Sequence, residues 1–243
     1  HKRIGVHFFF VVSWLRNDIF YESSVTWSTH NSSGSNFDNS FHIFISCKRA
    51  IRYGTKELLE IFGEQKKVDY QLEIEAAAAL SQGEINLIPK SIAKDIARAA
   101  RSGKITAKRI KQLEAKSDHD TAALVESLAE RCKKESRPWI HYGLTSNDLV
   151  DTSNSMQMRD AIRIIQPKVG KLALVLTKNA MKYKTLPAVG RTHGQHASII
   201  SFGLKFANWA AEMSTHLERL DEIKKRILIC KTLGVVGTGS LMG

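Results

Sequence analysis

The sequence predicts an all-α, bundle-like protein, and three observations carry that expectation. Past residue 50 no stretch alternates apolar and polar residues in the period-2 manner of a half-buried strand. Two long segments instead repeat apolar side chains at spacings of three and four, the period of one helix face. The 243 residues are 43% hydrophobic and 25% charged, which gives enough apolar material for a core and excludes disorder throughout, collagen or a disulfide scaffold.

Taken in order, Lys56 to Leu80 is rich in Glu, Leu, Ile and Ala and reads as helix. Pro89 and Ser91 mark a second helix start, and Gly103 stops that helix after Ala99-Ala100-Arg101. Thr106 caps a short helix running to about Ala115, and Asp120 opens another through Ala122, Leu124, Val125 and Leu128. The first long helix spans about Ser146 to Tyr183, with Ile162, Ile165, Val169, Leu172 and Leu176 on one stripe. Pro167 inside it predicts a kink or a break. The second, from about Ile200 to Ile229, carries Phe206, Ala210, Met213, Leu217, Leu220, Ile223 and Ile227 on its stripe. Such stripes need partner helices, in the same chain or in neighbouring subunits. The domain reading is a helical domain over 50–143 and part of a long-helix domain over 144–243.

Residues 1–49 have another character. They hold ten of the 19 aromatic residues, nine serines and the polar run Asn31-Ser-Ser-Gly-Ser-Asn-Phe-Asp-Asn-Ser40. They read as an atypical extension, disordered or non-native. Lys2 and Arg3 before the apolar stretch Val6 to Leu15 outline the start of a signal peptide, but no small-x-small cleavage site follows, so secretion is not expected. The chain starts with His1 and its first methionine is Met156, so one or both ends are expected to be artificial.

Thirty-six Lys and Arg against 24 Asp and Glu leave a formal charge of +12, and only five of the basic and three of the acidic residues precede residue 50. A positive field favours an anionic partner. The basic residues are spread along the helices without an aromatic-interleaved patch, which argues against nucleic acid, while charge alone does not choose among the other anionic partners. No apolar run approaches the roughly 20 residues that span a bilayer, so no membrane partner is expected. Three distant cysteines, Cys47, Cys132 and Cys230, suggest reduced thiols and a cytoplasmic setting.

The informative residues sit where helices end. Ser117-Asp118-His119-Asp120, His141-Tyr-Gly-Leu-Thr-Ser-Asn-Asp148 and Gly190-Arg-Thr-His-Gly-Gln195 each join a histidine to small, capping or carboxylate residues. Thr145, Ser146 and Asn147 are placed to cap the long helix that follows and to leave backbone N–H groups for an anion. An imidazole beside a carboxylate can be held in one tautomer and serve as an acid or base near neutral pH. Singly, each segment is weak: a His-Asp pair is more often a cap or surface pair than a catalytic dyad, a Thr-Ser-Asn-Asp run is mostly a helix start, and glycines around a histidine can simply make a turn. His193 and His196 form His-x-x-His, but no Glu in a zincin-like pattern and no nearby Cys accompanies them, so no metal is expected. The tail Gly234-Val-Val-Gly-Thr-Gly239 follows a helix and lacks Gly-Lys-Ser/Thr, so a Walker A reading fails.

Together and in this order, Arg52-Tyr53-Gly54-Thr55, Asp118-His119-Asp120, His141 to Thr152, Gly190-Arg-Thr-His-Gly-Gln-His-Ala197 and Gly234-Val-Val-Gly-Thr238 resemble the adenylosuccinate lyase family of the fumarase/aspartase superfamily. The resemblance runs from about Ile51 to Gly243. It implies elimination of fumarate from adenylosuccinate to give AMP, and the parallel cleavage of the succinylated imidazole carboxamide ribotide in purine biosynthesis. It implies no metal or organic cofactor, and a homotetramer whose long helices join in a 20-helix core, with each active site drawn from three subunits.

By the same resemblance His193 is the general acid that protonates the leaving nitrogen, and His119 supports it through substrate contact or orientation. Thr145 and Ser146 bind succinyl carboxylate oxygens, and Arg52 and Tyr53 hold the nucleotide phosphate and ribose. Asp118, Asp120 and His141 match motif positions that line the site. Ile199, Ile200 and Ser201 stand where the family has a Pro and Thr pair, and Leu233 replaces a small Ser. The family's flexible Ser-Ser-x-Met-Pro-x-Lys loop, whose serine is the general base, has no counterpart in the 243 residues. An inactive, poorly assembled chain is therefore expected. The alternatives are a carboxymuconate cycloisomerase-like relative and a non-catalytic helical assembly protein derived from the family.

Overall fold

The computed structural model describes residues 53–239, so the readings for residues 1–49 and for Arg52 lie outside the described residues. The chain divides into two units, residues 53–158 with 228–239, and residues 159–227.

In the first unit, α1 (Lys56–Ile61) starts at Thr55, whose hydroxyl accepts the Leu58 N–H at 3.4 Å. The single helix expected over 56–80 is two. Phe62 ends α1 and Gly63, in extended backbone, opens α2 (Glu64–Glu84). A Cβ on Gly63 would sit 3.1 Å from the Glu60 carbonyl oxygen, so a side chain would crowd this corner. Helix α3 (Lys90–Ala100) follows Pro89, and α4 (Ala107–Ser117) begins where the Thr106 hydroxyl accepts the Arg109 N–H at 3.2 Å. Helix α5 (Asp120–Ala129) and a 3₁₀ turn (Lys134–Trp139) lead to α6 (Ser146–Lys182).

The core lies where α2 meets α3 and α4 meets α5, with Ile88, Ile96, Leu124, Leu128 and Leu149 removed from solvent. Truncating Leu124 or Leu128 to alanine is expected to cost about 2–5 kcal/mol in urea unfolding. Burial would raise the Asp95 carboxyl. The Arg98 guanidinium at 2.6 Å and the Lys133 N–H at 2.8 Å outweigh it and hold the group below the usual range. Stability from this cluster is present above the ordinary carboxylate range and is lost as pH falls through the lowered value.

Burial pushes the thiols of Cys132 and Cys230 from 9.0 up to about 11. Folding therefore favours the neutral thiols, and their contribution to stability is lost as pH rises from about 9 through about 11. At neutral pH both should alkylate on the order of a hundredfold more slowly in the folded chain than in urea, as mass spectrometry of iodoacetamide-treated samples would show.

The second unit overturns the expectation that no strand follows residue 50. Strands β1 (Pro187–Thr192) and β2 (Gln195–Ser201) form an antiparallel hairpin. Val189 pairs with Ile199 and Thr192 with Gln195, and the register shifts between Val189 and Arg191. The bulge at Gly190 breaks the period-2 pattern, which is why no alternation shows in the sequence. A Cβ there would come within 2.8 Å of the Ser198 carbonyl oxygen. The β-branched Val189, Thr192, Ile199 and Ile200 favour extended backbone over the helix start expected at Ile200.

Helix α7 therefore begins two residues later, as Phe202–Ile227. Helix α6 continues as helix through Pro167, which is exposed where water can compensate for a missing backbone donor. At the start of α7, Gly203 is buried, and a Cβ there would fall 2.5 Å from the Ala180 carbonyl oxygen and 2.9 Å from the Lys184 nitrogen. Both contacts are to backbone and cannot swing away. Gly203→Ala is expected to destabilise this unit by about 1–3 kcal/mol, visible as a lower Tm. Gln166 and Lys224 converge on the Asp221 carboxylate at 2.9 and 2.8 Å. Those contacts, Lys224 first, hold it below the usual range. Phe206 packs edge-on against Phe202 and Trp209 and stacks on Tyr183.

Candidate active site

The segment after the 3₁₀ turn is held from two sides. His141 takes up left-handed backbone, φ 60°, a conformation that costs a non-glycine residue energy. From α2, the Glu75 carboxylate accepts the His141 N–H at 3.2 Å and lies 2.6 Å from its Nδ1. One helical turn pair further along, Gln82 Nε2 donates to the Tyr142 carbonyl at 2.7 Å. Glu75 and Gln82 are both buried, at 2% exposure each.

Three residues on, α6 begins. Asp148 lies in its first turn, is fully buried, and uses Oδ2 to accept the Thr145 N–H and the Gly234 N–H, each at 3.0 Å. The tail Gly-rich turn is thus an anchor for the helix start. Gly234 has φ 73°, and a Cβ on it would sit 3.3 Å from the Gly143 carbonyl oxygen, so the two turns meet backbone to backbone. The other oxygen, Asp148 Oδ1, is buried with no hydrogen-bond partner among the described residues. Below it, Thr152 Oγ1 accepts the Lys231 N–H at 3.0 Å, closing the second side of the clamp. The Thr145 N–H is therefore taken by Asp148. The N–H groups of Ser146 and Asn147 have no hydrogen-bond partner among the described residues, which leaves two donors at a helix start where the macrodipole favours an anion.

The Asp118-His119-Asp120 segment is a joint between α4 and α5. Asp118 ends α4 in left-handed backbone, φ 52°. His119 caps α5: its Nδ1 accepts the Ala122 N–H at 3.3 Å, so the proton of the neutral ring sits on Nε2. Asp120 Oδ1 accepts the Thr121 N–H at 2.6 Å and lies 3.6 Å from the imidazole. His119 and Asp120 are both about half exposed.

His193 belongs to the second unit and occupies the tip of the hairpin. His193 and Gly194 have φ 50° and 73°, the two positive values of a type I′ turn, between the paired Thr192 and Gln195. The ring is exposed, carried on a short two-residue turn. Behind it Arg191 and His196 face each other across the strands, with Arg191 Nη2 and His196 Nε2 3.5 Å apart.

The structure thus brings His141, Thr145 and Ser146 together on one clamped segment, joins Asp118, His119 and Asp120 at a helix junction, and sets His193 on a hairpin. Tyr53 is exposed just ahead of α1. Four non-glycine residues have positive φ among those described, and three of them, Asp118, His141 and His193, were singled out from sequence. Glu75 and Asp148, which hold the His141 segment, were not. The signal for Glu75 was a lone carboxylate in the run Ile74-Glu75-Ala76-Ala77-Ala78-Ala79. The signal for Asp148 was its place three residues after a capping threonine. Among the described residues no group of three or more His, Cys, Asp or Glu side chains converges as metal ligands would, and no helix is long and apolar enough to cross a membrane.

Residues 51–242 match a family described as lyase. Over 192 residues, 79% of this chain, the sequence is 43% identical to the adenylosuccinate lyase of Methanocaldococcus jannaschii and 40% identical to that of Methanothermobacter thermautotrophicus. Those alignments cover 42% and 43% of the relatives, so the chain spans about two fifths of the length of the curated relatives it matches. Among solved structures it is similar to a fumarate lyase from Mesorhizobium sp. BNC1, with TM-score 0.73, 30% identity, and coverage of 79% of this chain and 46% of that one. It is similar also to a β-carboxy-cis,cis-muconate cycloisomerase from Acinetobacter calcoaceticus sp. ADP1, with TM-score 0.73, 30% identity, and coverage of 77% and 45%. The all-α fold of the fumarase type is common to these neighbours, with the small hairpin as its one β element among the described residues.

Proposed function

The chain belongs to the lyase family, within the fumarase/aspartase superfamily, and from that membership we infer that it carries part of a carbon–nitrogen lyase site. The reaction we propose is elimination of fumarate from adenylosuccinate, giving AMP, and from the succinylated imidazole carboxamide ribotide, in the cytoplasm and without metal or organic cofactor. The observation that supports it is the clamped segment His141 to Asp148, with a strained histidine followed by a helix start whose Ser146 and Asn147 N–H groups await an acceptor. A succinyl carboxylate is such an acceptor, and the net charge of +12 suits a substrate carrying a phosphate and two carboxylates.

The remaining roles are proposed from the family resemblance and suit the chemistry. The proton on the carbon next to the C–N bond leaves to a base, its C–H electron pair becomes the new C=C bond, and the C–N pair departs with nitrogen, which takes a proton from an acid. His193, exposed on its hairpin tip, is the proposed acid, and His119 orients or contacts the substrate. Thr145 and Ser146 hold the carboxylate, Arg52 and Tyr53 hold phosphate and ribose, and Asp118, Asp120 and His141 line the site. Residues 51–242 hold no counterpart of the family's general-base serine, so the 243 residues alone are expected to give no turnover.

Assembly belongs to the same proposal. On α6 Leu172, Leu174, Val175 and Met181 are exposed, as are Leu204, Trp209 and Ile223 on α7. Exposed apolar residues on more than one face of α6, together with those on α7, suit a homotetramer of long helices, the partners being further copies of this chain. Leu174→Lys with Val175→Lys should shift the sedimenting species to lower mass at concentrations where the unaltered chain associates. An unchanged distribution would count against this surface.

The test of function is a chimera in which residues 51–242 replace the matched 192 residues of the Methanocaldococcus relative. An assembled chimera that forms AMP and fumarate supports the reading, and an assembled chimera without turnover opposes it. A second reading, carboxymuconate cycloisomerase, has the structural similarity at 30% identity in its favour. It predicts turnover of carboxymuconate instead.

A further inference from the structure

Glu75 is a carboxylate with 2% exposure in the middle of α2, and among the described residues no lysine or arginine pairs with it. A buried carboxylate without a cation needs donors on its oxygens. Glu75 has two, both from His141: the backbone N–H on Oε2 at 3.2 Å and the ring Nδ1 at 2.6 Å from Oε1. With Glu75 as the carboxylate, the second contact is a hydrogen bond only if Nδ1 carries the proton. An unprotonated Nδ1 would set a lone pair against an anion. The backbone contact also holds His141 at φ 60°, so one carboxylate fixes both the main chain and the ring. With Nδ1 committed, Nε2 is the ring atom left for anything outside the dyad.

We propose that Glu75 is a positioning residue of the site: its buried carboxylate fixes His141 as the Nδ1–H tautomer and so presents Nε2 to the substrate. The site role rests on the lyase reading above, while the dyad itself does not. His119 provides an internal contrast, since its Nδ1 accepts a backbone N–H and its neutral proton sits on Nε2. Two of the site's histidines are therefore held in opposite tautomers by different local partners.

The first test uses the 243-residue chain with ¹⁵N-labelled histidine at about pH 8, where an ordinary imidazole is neutral. Long-range ¹H–¹⁵N correlation reads the tautomer, and His141→Gln identifies the signals. The expected result is a protonated Nδ1 at His141 in the unaltered chain and a shift toward the Nε2–H form in Glu75→Gln. That variant keeps shape, but its single carbonyl oxygen cannot serve both donors in the same way. A His141 found as the Nε2–H form in the unaltered chain, or an identical pattern in Glu75→Gln, overturns the proposal.

The second test places the same substitution in the chimera. Glu75→Gln should lower kcat/KM about 100-fold at a temperature where the fold is intact, by analogy with other carboxylates that orient a histidine. Adding it to His141→Gln should cost little more, because both act through one ring. Full additivity of the two losses overturns the positioning role. A confirmed tautomer in a chimera without turnover sinks the lyase reading and leaves the dyad standing.

Discussion

His193→Asn in the chimera is expected to lower kcat/KM for adenylosuccinate by about 10²- to 10⁴-fold while leaving the fold untouched. The geometry allows the two effects to be separated. His193 is exposed at the first position of a type I′ turn with φ 50°, and Gly194 follows at φ 73°. Asn-Gly is the preferred pair for that turn, so asparagine supports the hairpin at least as well as histidine does. What it removes is the ionisable ring, and with it the proposed source of the proton for the departing nitrogen. The loss corresponds to about 3–5 kcal/mol of transition-state stabilisation. Circular dichroism and Tm should match the parent chimera, and kcat should fall more than substrate affinity. Activity retained within tenfold would remove His193 from the role of acid.

The largest effect on stability is expected at Asp148. Its Oδ2 alone accepts two buried backbone donors, the Thr145 N–H and the Gly234 N–H, and so ties the start of α6 to the tail turn. Asp148→Ala leaves both donors without an acceptor, at about 1–3 kcal/mol each, so urea unfolding should lose about 2–6 kcal/mol. Asp148→Asn is the control. One amide oxygen can replace Oδ2 for both donors, and the amide nitrogen takes the place of an oxygen that already lacks a partner among the described residues. The asparagine variant should therefore lose well under half of what alanine loses. Equal losses would mean that the charge, not the two hydrogen bonds, holds the clamp.

Helices were legible in the sequence because their signals are local. Thr55, Thr106 and Pro89 stand at helix starts, and apolar spacing marks α6 and α7 along most of their length. The hairpin was not legible, since Gly190 interrupts the alternation and strands of six and seven residues leave little periodicity to read. Even so, His193-Gly194 between Thr192 and Gln195, flanked by Val189 and Ile199, is the composition of a two-residue turn. Of the candidate site, the histidines and the helix start stood out through residue type and order. Their supports did not, because Glu75 and Asp148 act across 66 and 86 residues of sequence, on His141 and Gly234 respectively, where no local pattern points. The break at Gly63 did carry a local signal, a glycine at a helix end, and the nearness of the Glu60 carbonyl adds a reason for it.

The most direct test of the central claim is the ratio of kcat/KM values that the assembled chimera shows for adenylosuccinate and for 3-carboxy-cis,cis-muconate. If the proposed carbon–nitrogen lyase reaction is correct, the chimera releases AMP and fumarate in equal amounts. It should favour the succinylated nucleotide by at least about 10³-fold, the discrimination of a site whose polar groups are left unpaired by the wrong substrate. Preference for the muconate, with no fumarate released from adenylosuccinate, would contradict it.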